Sequence, residues 1–340
     1  MRIRCRMIAA TLAALAGCGG SKSIPTTSTP TVIVPGLVGG LTGKGLETPN
    51  LHDGSIATFV NRRVTVTWPT TVGATSYILE IGSQPGTSDA LSTETNQTTA
   101  EWTPPATGDF VAQVKAKNSA GTGPASTQMT IHVVNFRSMV ESLYFGSGPY
   151  SDPANRGCPS DRMSGWPAGT DIRIVLSTDL QPAGVDGARN TAAQLADATG
   201  GVVRAHTDPP TQSKPVAAPG EISVSPIVTG SECSAGASGC TRVTRYDRGV
   251  IGSADIFVNN TALGGPGPHE IGHAAFGFCH VLNARNGTVT IVSHLTVMGF
   301  GGSGQKLTES DLLVVRSVYD AGLRGGASRS DFVRAGLIDP

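Results

Sequence analysis

The stretch at residues 268–280 constrains this chain more than any other part of it. His269 and His273 are four residues apart, and Glu270 follows the first of them. On an α-helix this spacing places both imidazoles on one face, one turn apart. Two nitrogen donors can then bind one metal ion, with a carboxylate close enough to reach a water on it. The stretch therefore predicts a zinc-binding helix with Glu270 as the general base.

Glycine and proline indicate where this helix begins and ends. Residues 264–267 are Gly-Gly-Pro-Gly, which is unsuited to a helix interior, whereas Pro268 suits the first helical position. Gly277 can adopt a positive φ and end the helix. The chain then reverses and returns His280 toward the ion as a third ligand. Three protein ligands leave a position for water, which distinguishes catalytic from structural zinc sites.

Together with a later methionine, these residues resemble the metzincin metalloproteases. The family has a helical His-Glu-x-x-His, a glycine, a third histidine and a downstream methionine turn. Residues 297–300, Val-Met-Gly-Phe, resemble that turn. The resemblance implies one catalytic zinc ion on His269, His273 and His280, with Met298 beneath it. It also implies a substrate-pairing edge strand at 253–258 and a C-terminal helix at 308–321.

The spacing departs from the family pattern by one residue. Gly277 and His280 lie eight and eleven residues after His269, where the family has seven and ten. Each added helical residue turns the exit by about 100°, so a π-bulge or a looser last turn has to absorb the difference. Some metzincins also have a tyrosine where this chain has Phe300. Other candidates for the third ligand are His294, Glu309 and Asp311, the two acids being typical of a different zinc-peptidase class.

The first residues predict an export signal. Residues 1–6 are basic, and the apolar run at 7–16 is shorter than the roughly 20 residues that span a bilayer. Residues 15–18, Leu-Ala-Gly-Cys, resemble the lipobox of bacterial lipoproteins. The resemblance implies a signal peptide at 1–17, acylation of Cys18 and a lipid-anchored protein of the cell envelope. Because Gly19 is not aspartate, it also implies the outer membrane. The alternative is a secretory signal in which Cys18 is incidental.

Four cysteines remain once Cys5 in the leader and Cys18 are set aside: Cys158, Cys233, Cys240 and Cys279. An exported chain folds in an oxidising compartment, so we expect two disulfides. Cys233 and Cys240 bracket a short flexible loop, which favours Cys233–Cys240 and leaves Cys158–Cys279. Four cysteines allow three pairings, and the sequence does not exclude the other two.

The segment before the metal motif predicts a tether and a β-sandwich. Residues 18–46 are rich in Gly, Ser, Thr and Pro, which favours a flexible tether. Residues 47–134 contain short alternating strands at 64–68, 77–81 and 110–117, which is typical of a sandwich. This part resembles a fibronectin type III domain through Trp68, Tyr77, Phe110 and the hairpin at 117–126. The resemblance implies a spacer or a module that binds a surface ligand.

Residues 136–340 predict a mixed α+β domain. Strands are expected at 171–177, 221–224 and 253–258, and a helix at 187–199, with a long loop over most of 207–240. The two resemblances together imply a multidomain chain, in which an all-β fibronectin-like sandwich is followed by an α+β metzincin-like catalytic domain.

The predicted function is zinc-dependent endopeptidase activity on extracytoplasmic proteins or peptides. The alternative is a surface adhesion or binding lipoprotein with a degenerate, non-proteolytic protease domain. Basic and acidic residues balance at 25 each. Without clustered Lys and Arg, no nucleic-acid partner is expected. The expected partners are a protein substrate and, through Cys18, a membrane.

Overall fold

The structure is a computed structural model of the chain. It describes residues 32–47, 53–153, 158–228, 232–234, 237–245, 249–259, 267–282, 291–299 and 306–340. The predicted leader at 1–17 and Cys18 lie outside these ranges, as does Phe300. In the described part of the chain, no helix is both long and apolar enough to cross a bilayer.

The described residues between 42 and 134 form nine strands in two packed sheets. The strands are β1 (Thr42–Lys44), β2 (Ile56–Phe59), β3 (Val64–Thr67), β4 (Ser76–Gly82), β5 (Leu91–Thr95), β6 (Thr99–Trp102), β7 (Gly108–Asn118), β8 (Gly121–Ala125) and β9 (Met129–Val134). One sheet has the order β1-β3-β6, and the other β2-β9-β7-β4-β5 with β8 beside β7. The predicted β-sandwich is therefore confirmed.

Alternation along the strands builds the core of this sandwich. Ala112, Val114 and Ala116 occupy every second position of β7 and are fully buried, as the period of two requires. Trp68 packs on Tyr77 with ring centroids 5.8 Å apart. Trp68 and Tyr77 therefore lie in the core of the sandwich, and Phe110 is partly buried against it.

The predicted tether is too long at its C-terminal end. β1 lies within the segment expected to be flexible, and it pairs antiparallel with β3. Val38 is fully buried in the sandwich core, and Asn118 Nδ2 donates to the Ile33 carbonyl oxygen at 2.7 Å. A Gly- and Thr-rich strand at a sheet edge has little apolar content of its own, which is why composition alone did not reveal it.

The second unit contains one five-stranded sheet and six helices among the described residues. Its elements are α1 (Phe136–Phe145), β10 (Asp171–Leu176), α2 (Pro182–Ala198), β11 (Arg204–Thr207), β12 (Glu221–Pro226), β13 (Gly239–Arg245), β14 (Ile251–Val258), α3 (Gly267–Phe276), α4 (Val292–Leu295), α5 (Glu309–Asp320) and α6 (Arg329–Arg334). The sheet order is β11-β10-β12-β14-β13, with only β13 antiparallel to its neighbour. Helix α3 contacts β13, β14 and α2.

The edge strand differs from the expectation. The stretch at 253–258 was expected to be the edge strand, but it belongs to β14, which lies between β12 and β13. The edge strand on this side of the sheet is β13, and only its first two residues, 239 and 240, fall in the segment predicted as loop. Only two of its seven residues are Val or Cys and none is fully buried, so it lacks the apolar alternation that identifies strands.

Of two predicted helices, one begins earlier in the structure than expected and the other agrees with the prediction. The helix expected at 187–199 begins five residues earlier, at Pro182, where proline at the first turn is favourable. The C-terminal helix is confirmed: Thr308 caps α5 and forms a reciprocal capping box with Asp311.

The sandwich and the second unit share an apolar interface. Leu46, Ala57, Phe59 and Val134 of the sandwich belong to the buried cluster of the second unit. The rings of Phe59 and Phe136 meet edge to face at 5.0 Å. Arg62 forms an ion pair with Glu309 at the start of α5. The two units are thus packed against each other directly.

Candidate metal centre

Three imidazoles converge at the end of α3. The Nε2 atom of His280 lies 3.1 Å from Nε2 of His269 and 3.1 Å from Nε2 of His273. In a tetrahedral zinc site with Zn–N bonds of about 2.0–2.1 Å, the nitrogens are separated by roughly 3.3 Å. The three residues therefore fit a zinc ion in both ligand type and spacing. They form the one group of three or more potential ligands within 4.8 Å among the described residues.

Backbone carbonyls determine which nitrogen of each helix imidazole carries the proton. His269 Nδ1 lies 2.7 Å from the Val297 carbonyl oxygen, and His273 Nδ1 lies 2.5 Å from the Phe278 carbonyl oxygen. A carbonyl oxygen only accepts hydrogen bonds, so each Nδ1 donates and each neutral ring has a lone pair on Nε2. Two lone pairs thus point at the same place as His280 Nε2. A bound cation would stabilise nitrogen lone pairs that lie this close together.

The electrostatic environment keeps His273 neutral. Burial, together with the neighbouring His269 and His280, holds the pKa of His273 well below its usual value. A metal-binding imidazole has to be unprotonated, so this shift favours ligation over proton binding.

The end of α3 explains how His280 reaches the other two ligands despite the extra residue. Gly277 has φ +68°, and its amide donates to the His273 carbonyl at 3.1 Å. Phe278 N then donates to the Gly272 carbonyl at 3.3 Å, six residues back. No π-helical turn occurs in α3. The additional residue is accommodated by this wide closing turn, which is the looser last turn anticipated from the sequence.

Glycine is required at Gly277 for two reasons. Its positive φ is unfavourable for other residues, and a Cβ there would lie 2.3 Å from Ser164 Cβ and 2.5 Å from the Ser164 oxygen. The reversal that returns His280 therefore needs both the left-handed conformation and the close approach of the neighbouring chain.

The methionine turn lies against the metal helix. Met298 is fully buried, and a Cβ on Gly272 would be 2.8 Å from its sulfur. Val297 joins this turn to the site because its carbonyl accepts from His269 Nδ1. The Met298 sulfur therefore lies against the backbone of α3.

Asp311 positions the same turn from the other side. Its fully buried carboxylate accepts from Val297 N at 3.1 Å, Thr308 N at 3.0 Å and Thr308 Oγ1 at 2.8 Å, and also from Thr296 Oγ1. Asp311 was considered as a third metal ligand, but these four donors occupy its carboxylate instead. It supports the site through Val297.

The other two candidate ligands are also placed elsewhere. Glu309 pairs with Arg62 and accepts from Glu47 N at 3.2 Å. His294 lies on the short helix α4 and is not part of the three-histidine group.

Glu270 is buried on α3 and faces β13. Thr241 Oγ1 on β13 donates to Glu270 Oε2 at 2.7 Å and lies 3.0 Å from the Glu270 carbonyl oxygen. The sequence pattern predicts a role for Glu270 but not for Thr241. A single threonine in a polar strand belongs to no recognisable motif.

Two disulfides match the favoured pairing. Cys158 is bonded to Cys279, the residue before His280, and Cys233 to Cys240, the residue before Thr241. Backbone bonds support the first connection: Cys279 N donates to the Leu143 carbonyl at 2.6 Å, and Asp152 N to the His280 carbonyl at 3.2 Å. The segment that carries the third histidine is thus attached to α1 and the chain after it.

Comparison with solved structures finds partial matches to fibronectin-type domains. Similar solved structures include an Fn3-like protein from Clostridium thermocellum (16% identity, 31% of this chain and 97% of that one, TM-score 0.21). The chicken CNTN1 FN1–FN3 domains are 20% identical over 30% of this chain and 34% of theirs, with a TM-score of 0.22. No protein-family model and no curated protein matches the chain. The metal centre is therefore interpreted from its own geometry.

Proposed function

We propose that the protein is a zinc-dependent endopeptidase whose catalytic ion is held by His269, His273 and His280. The observation that supports this most strongly is the convergence of three Nε2 atoms, with Nδ1 of the two helix histidines committed to carbonyls. Three nitrogen ligands leave coordination positions for water and substrate, as in catalytic sites.

Glu270 supplies the acid–base chemistry of the proposed reaction. Bound zinc supplies Lewis acidity, which lowers the pKa of water and polarises the carbonyl of the peptide bond. Glu270 accepts a proton as the water oxygen bonds to the carbonyl carbon, and later delivers it to the amine nitrogen as the C–N bond breaks. The products are a carboxylate and an amine, and no redox partner is needed.

The edge strand β13 is the proposed docking position for an extended substrate. It ends the sheet order among the described strands, which makes its outer edge the proposed place for strand addition, and its inner neighbour β14 lies alongside α3. Thr241 on this strand touches the proposed base. A peptide pairing with β13 would therefore run past the metal centre.

The sandwich and the predicted leader have separate proposed roles. We assign the sandwich to the fibronectin type III class, as a spacer that also contacts the catalytic unit, on the basis of its strand order. Acylation at Cys18 would place the protein on the outer membrane of the cell envelope, with protein or peptide substrates outside the cytoplasm.

The test is hydrolysis of a peptide library with and without a zinc chelator, followed by restoration with zinc. Glu270→Gln should retain fold and metal but lose activity by about 10²–10⁴-fold, the usual contribution of general base catalysis. Glu309→Gln is the control and should retain both metal and activity. Zinc binding without cleavage of any substrate would instead support the non-catalytic adhesion lipoprotein.

A further inference from the structure

Thr241 donates a side-chain hydrogen bond to the Glu270 carboxylate. Its hydroxyl lies 2.7 Å from Oε2 and 3.0 Å from the main-chain oxygen of the same residue. One side chain thus contacts both the carboxylate and the helix backbone from which it extends. A glutamate side chain has three rotatable bonds, and a hydrogen bond at its end restricts all of them.

The position of Thr241 connects the base to the strand rather than to the helix. Thr241 pairs with Ile256 in the antiparallel ladder between β13 and β14. The preceding residue, Cys240, is fixed by its disulfide to Cys233. The hydroxyl therefore extends from a strand that is anchored on both sides, by the ladder and by the disulfide.

We propose that Thr241 is a positioning residue that holds Glu270 for proton transfer and couples its orientation to occupancy of the edge strand. The inference rests on the proposed function, since it specifies how substrate docking on β13 is communicated to the base. Hydrogen-bonded partners of catalytic groups commonly contribute about 10–100-fold to activity. The coupling needs no movement of α3, because Thr241 belongs to the docking strand and touches the base directly.

The test compares three variants of the full chain. Thr241→Val removes the hydroxyl at nearly constant volume, and Thr241→Ser retains it. Thr207→Val is the control, because Thr207 is half-buried like Thr241 but lies on β11, at the opposite edge of the same sheet from the docking strand. We expect Thr241→Val to lower kcat about 10–100-fold with KM within about twofold. Thr241→Ser and Thr207→Val should remain near the wild type.

A second measurement does not depend on turnover. A peptide hydroxamate chelates zinc and donates a hydrogen bond to the base carboxylate, so its affinity reports where that carboxylate lies. For Thr241→Val we expect about tenfold weaker hydroxamate binding with the zinc Kd within about twofold of the wild type. In Glu270→Gln the further change Thr241→Val should have no effect, because residues that act together are not additive.

The possible outcomes separate the inference from the proposed function. Wild-type kcat and hydroxamate affinity in Thr241→Val would overturn the role of Thr241 while leaving the peptidase intact. If Thr241→Val loses zinc affinity and Thr241→Ser loses it as well, the contact is merely structural. That result would also overturn the proposed role of Thr241. If the zinc-loaded wild type cleaves no peptide, the proposed function fails, and hydroxamate binding alone then decides whether Thr241 positions Glu270.

Discussion

At the scale of single residues, the three-histidine site depends on side chains that lie outside the group of proposed ligands. Asp311 is the clearest case, because it receives four hydrogen bonds and one of them comes from Val297 N. The Val297 carbonyl in turn accepts a hydrogen bond from His269 Nδ1. A buried carboxylate is therefore connected through one residue, Val297, to the ring of a proposed metal ligand.

Replacing Asp311 should weaken both the fold and metal binding. Asp311→Asn places an amide group against backbone donors, leaving at least one buried donor unpaired, at a cost of about 1–3 kcal/mol. We also expect zinc affinity to fall about tenfold, as for other supporting residues of metal ligands. Urea unfolding and chelator competition measure the two effects.

A matched control exists on α6. Asp331 forms the same capping box with Ser328 but is remote from the methionine turn. Asp331→Asn should lower the stability only slightly and leave zinc affinity unchanged. Equal loss of zinc affinity in both variants would contradict the proposed route from Asp311 to His269.

Sequence patterns predict the proposed ligands because zinc binding requires particular residue types at set spacings. His269, Glu270 and His273 are visible on a helical period, and His280 follows from a glycine that ends the helix. The sequence does not predict the contact of Thr241 with Glu270 or that of Asp311 with Val297, because each joins residues 14 or more apart in the chain. Strand β13 was missed for a related reason: it is polar and exposed, so its pairing with β14 decides its conformation.

At the scale of elements, a disulfide attaches the segment after α3 to the start of the second unit. Cys158 and Cys279 are 121 residues apart, whereas Cys233 and Cys240 are seven apart. In the chain-entropy description, closing the longer loop contributes about 5 kcal/mol and closing the shorter one about 2 kcal/mol. The first bridge should therefore dominate stability.

Removing each bridge separately should distinguish their roles. Replacing Cys158 and Cys279 by serine should lower the unfolding temperature strongly and reduce zinc affinity about tenfold, because His280 directly follows Cys279. The Cys233 and Cys240 double variant should bind zinc as the wild type does. Unchanged zinc affinity on losing the first bridge would mean that the backbone bonds to Leu143 and from Asp152 suffice.

Helices α1 and α5 each bury a tyrosine whose hydroxyl has no protein hydrogen-bond partner among the described residues. Burial raises the pKa of Tyr319 to about 12 and raises the pKa of Tyr144 well above its usual value. The folded protein keeps both protons at a pH where the unfolded chain loses them. Stability is thus complete below pH 10 and is lost as pH rises from about 10 toward 12.

The alkaline loss should be measurable by urea unfolding at several pH values. Tyr319 alone accounts for roughly 2–3 kcal/mol across that interval, from a shift of about two pKa units. Tyr319→Phe should reduce the slope and cost little at pH 8, since it removes an unpaired hydroxyl. Tyr77→Phe is the control for removing a bonded hydroxyl, because the Tyr77 hydroxyl accepts from Thr71 N at 2.9 Å; it should lose stability at pH 8.

At the scale of the whole molecule, the sandwich is part of the stability of the second unit. Phe59 is buried with the core of that unit and meets Phe136 at 5.0 Å. Arg62 reaches Glu309 at the first turn of α5. The shared core predicts that both units unfold in one transition.

Scanning calorimetry of Phe59→Ala tests this coupling. Truncating a buried phenylalanine costs about 3–5 kcal/mol, and here the loss falls on the contact between the units. We expect the single transition of the wild type to split into two. Phe110→Ala removes a ring that packs on Trp102 within the sandwich, at 4.9 Å; it should lower the transition temperature without splitting it. Two transitions in the wild type would contradict the shared core.

Titration of the metal-free protein with zinc, while peptide cleavage is followed, tests the central claim most directly. One site of three histidines predicts that the rate rises linearly up to one equivalent of zinc and then levels off. Glu270→Gln should bind the same single equivalent without cleavage. Full binding of one zinc ion by the wild type with no cleavage, or cleavage that is independent of zinc, would contradict the proposed peptidase.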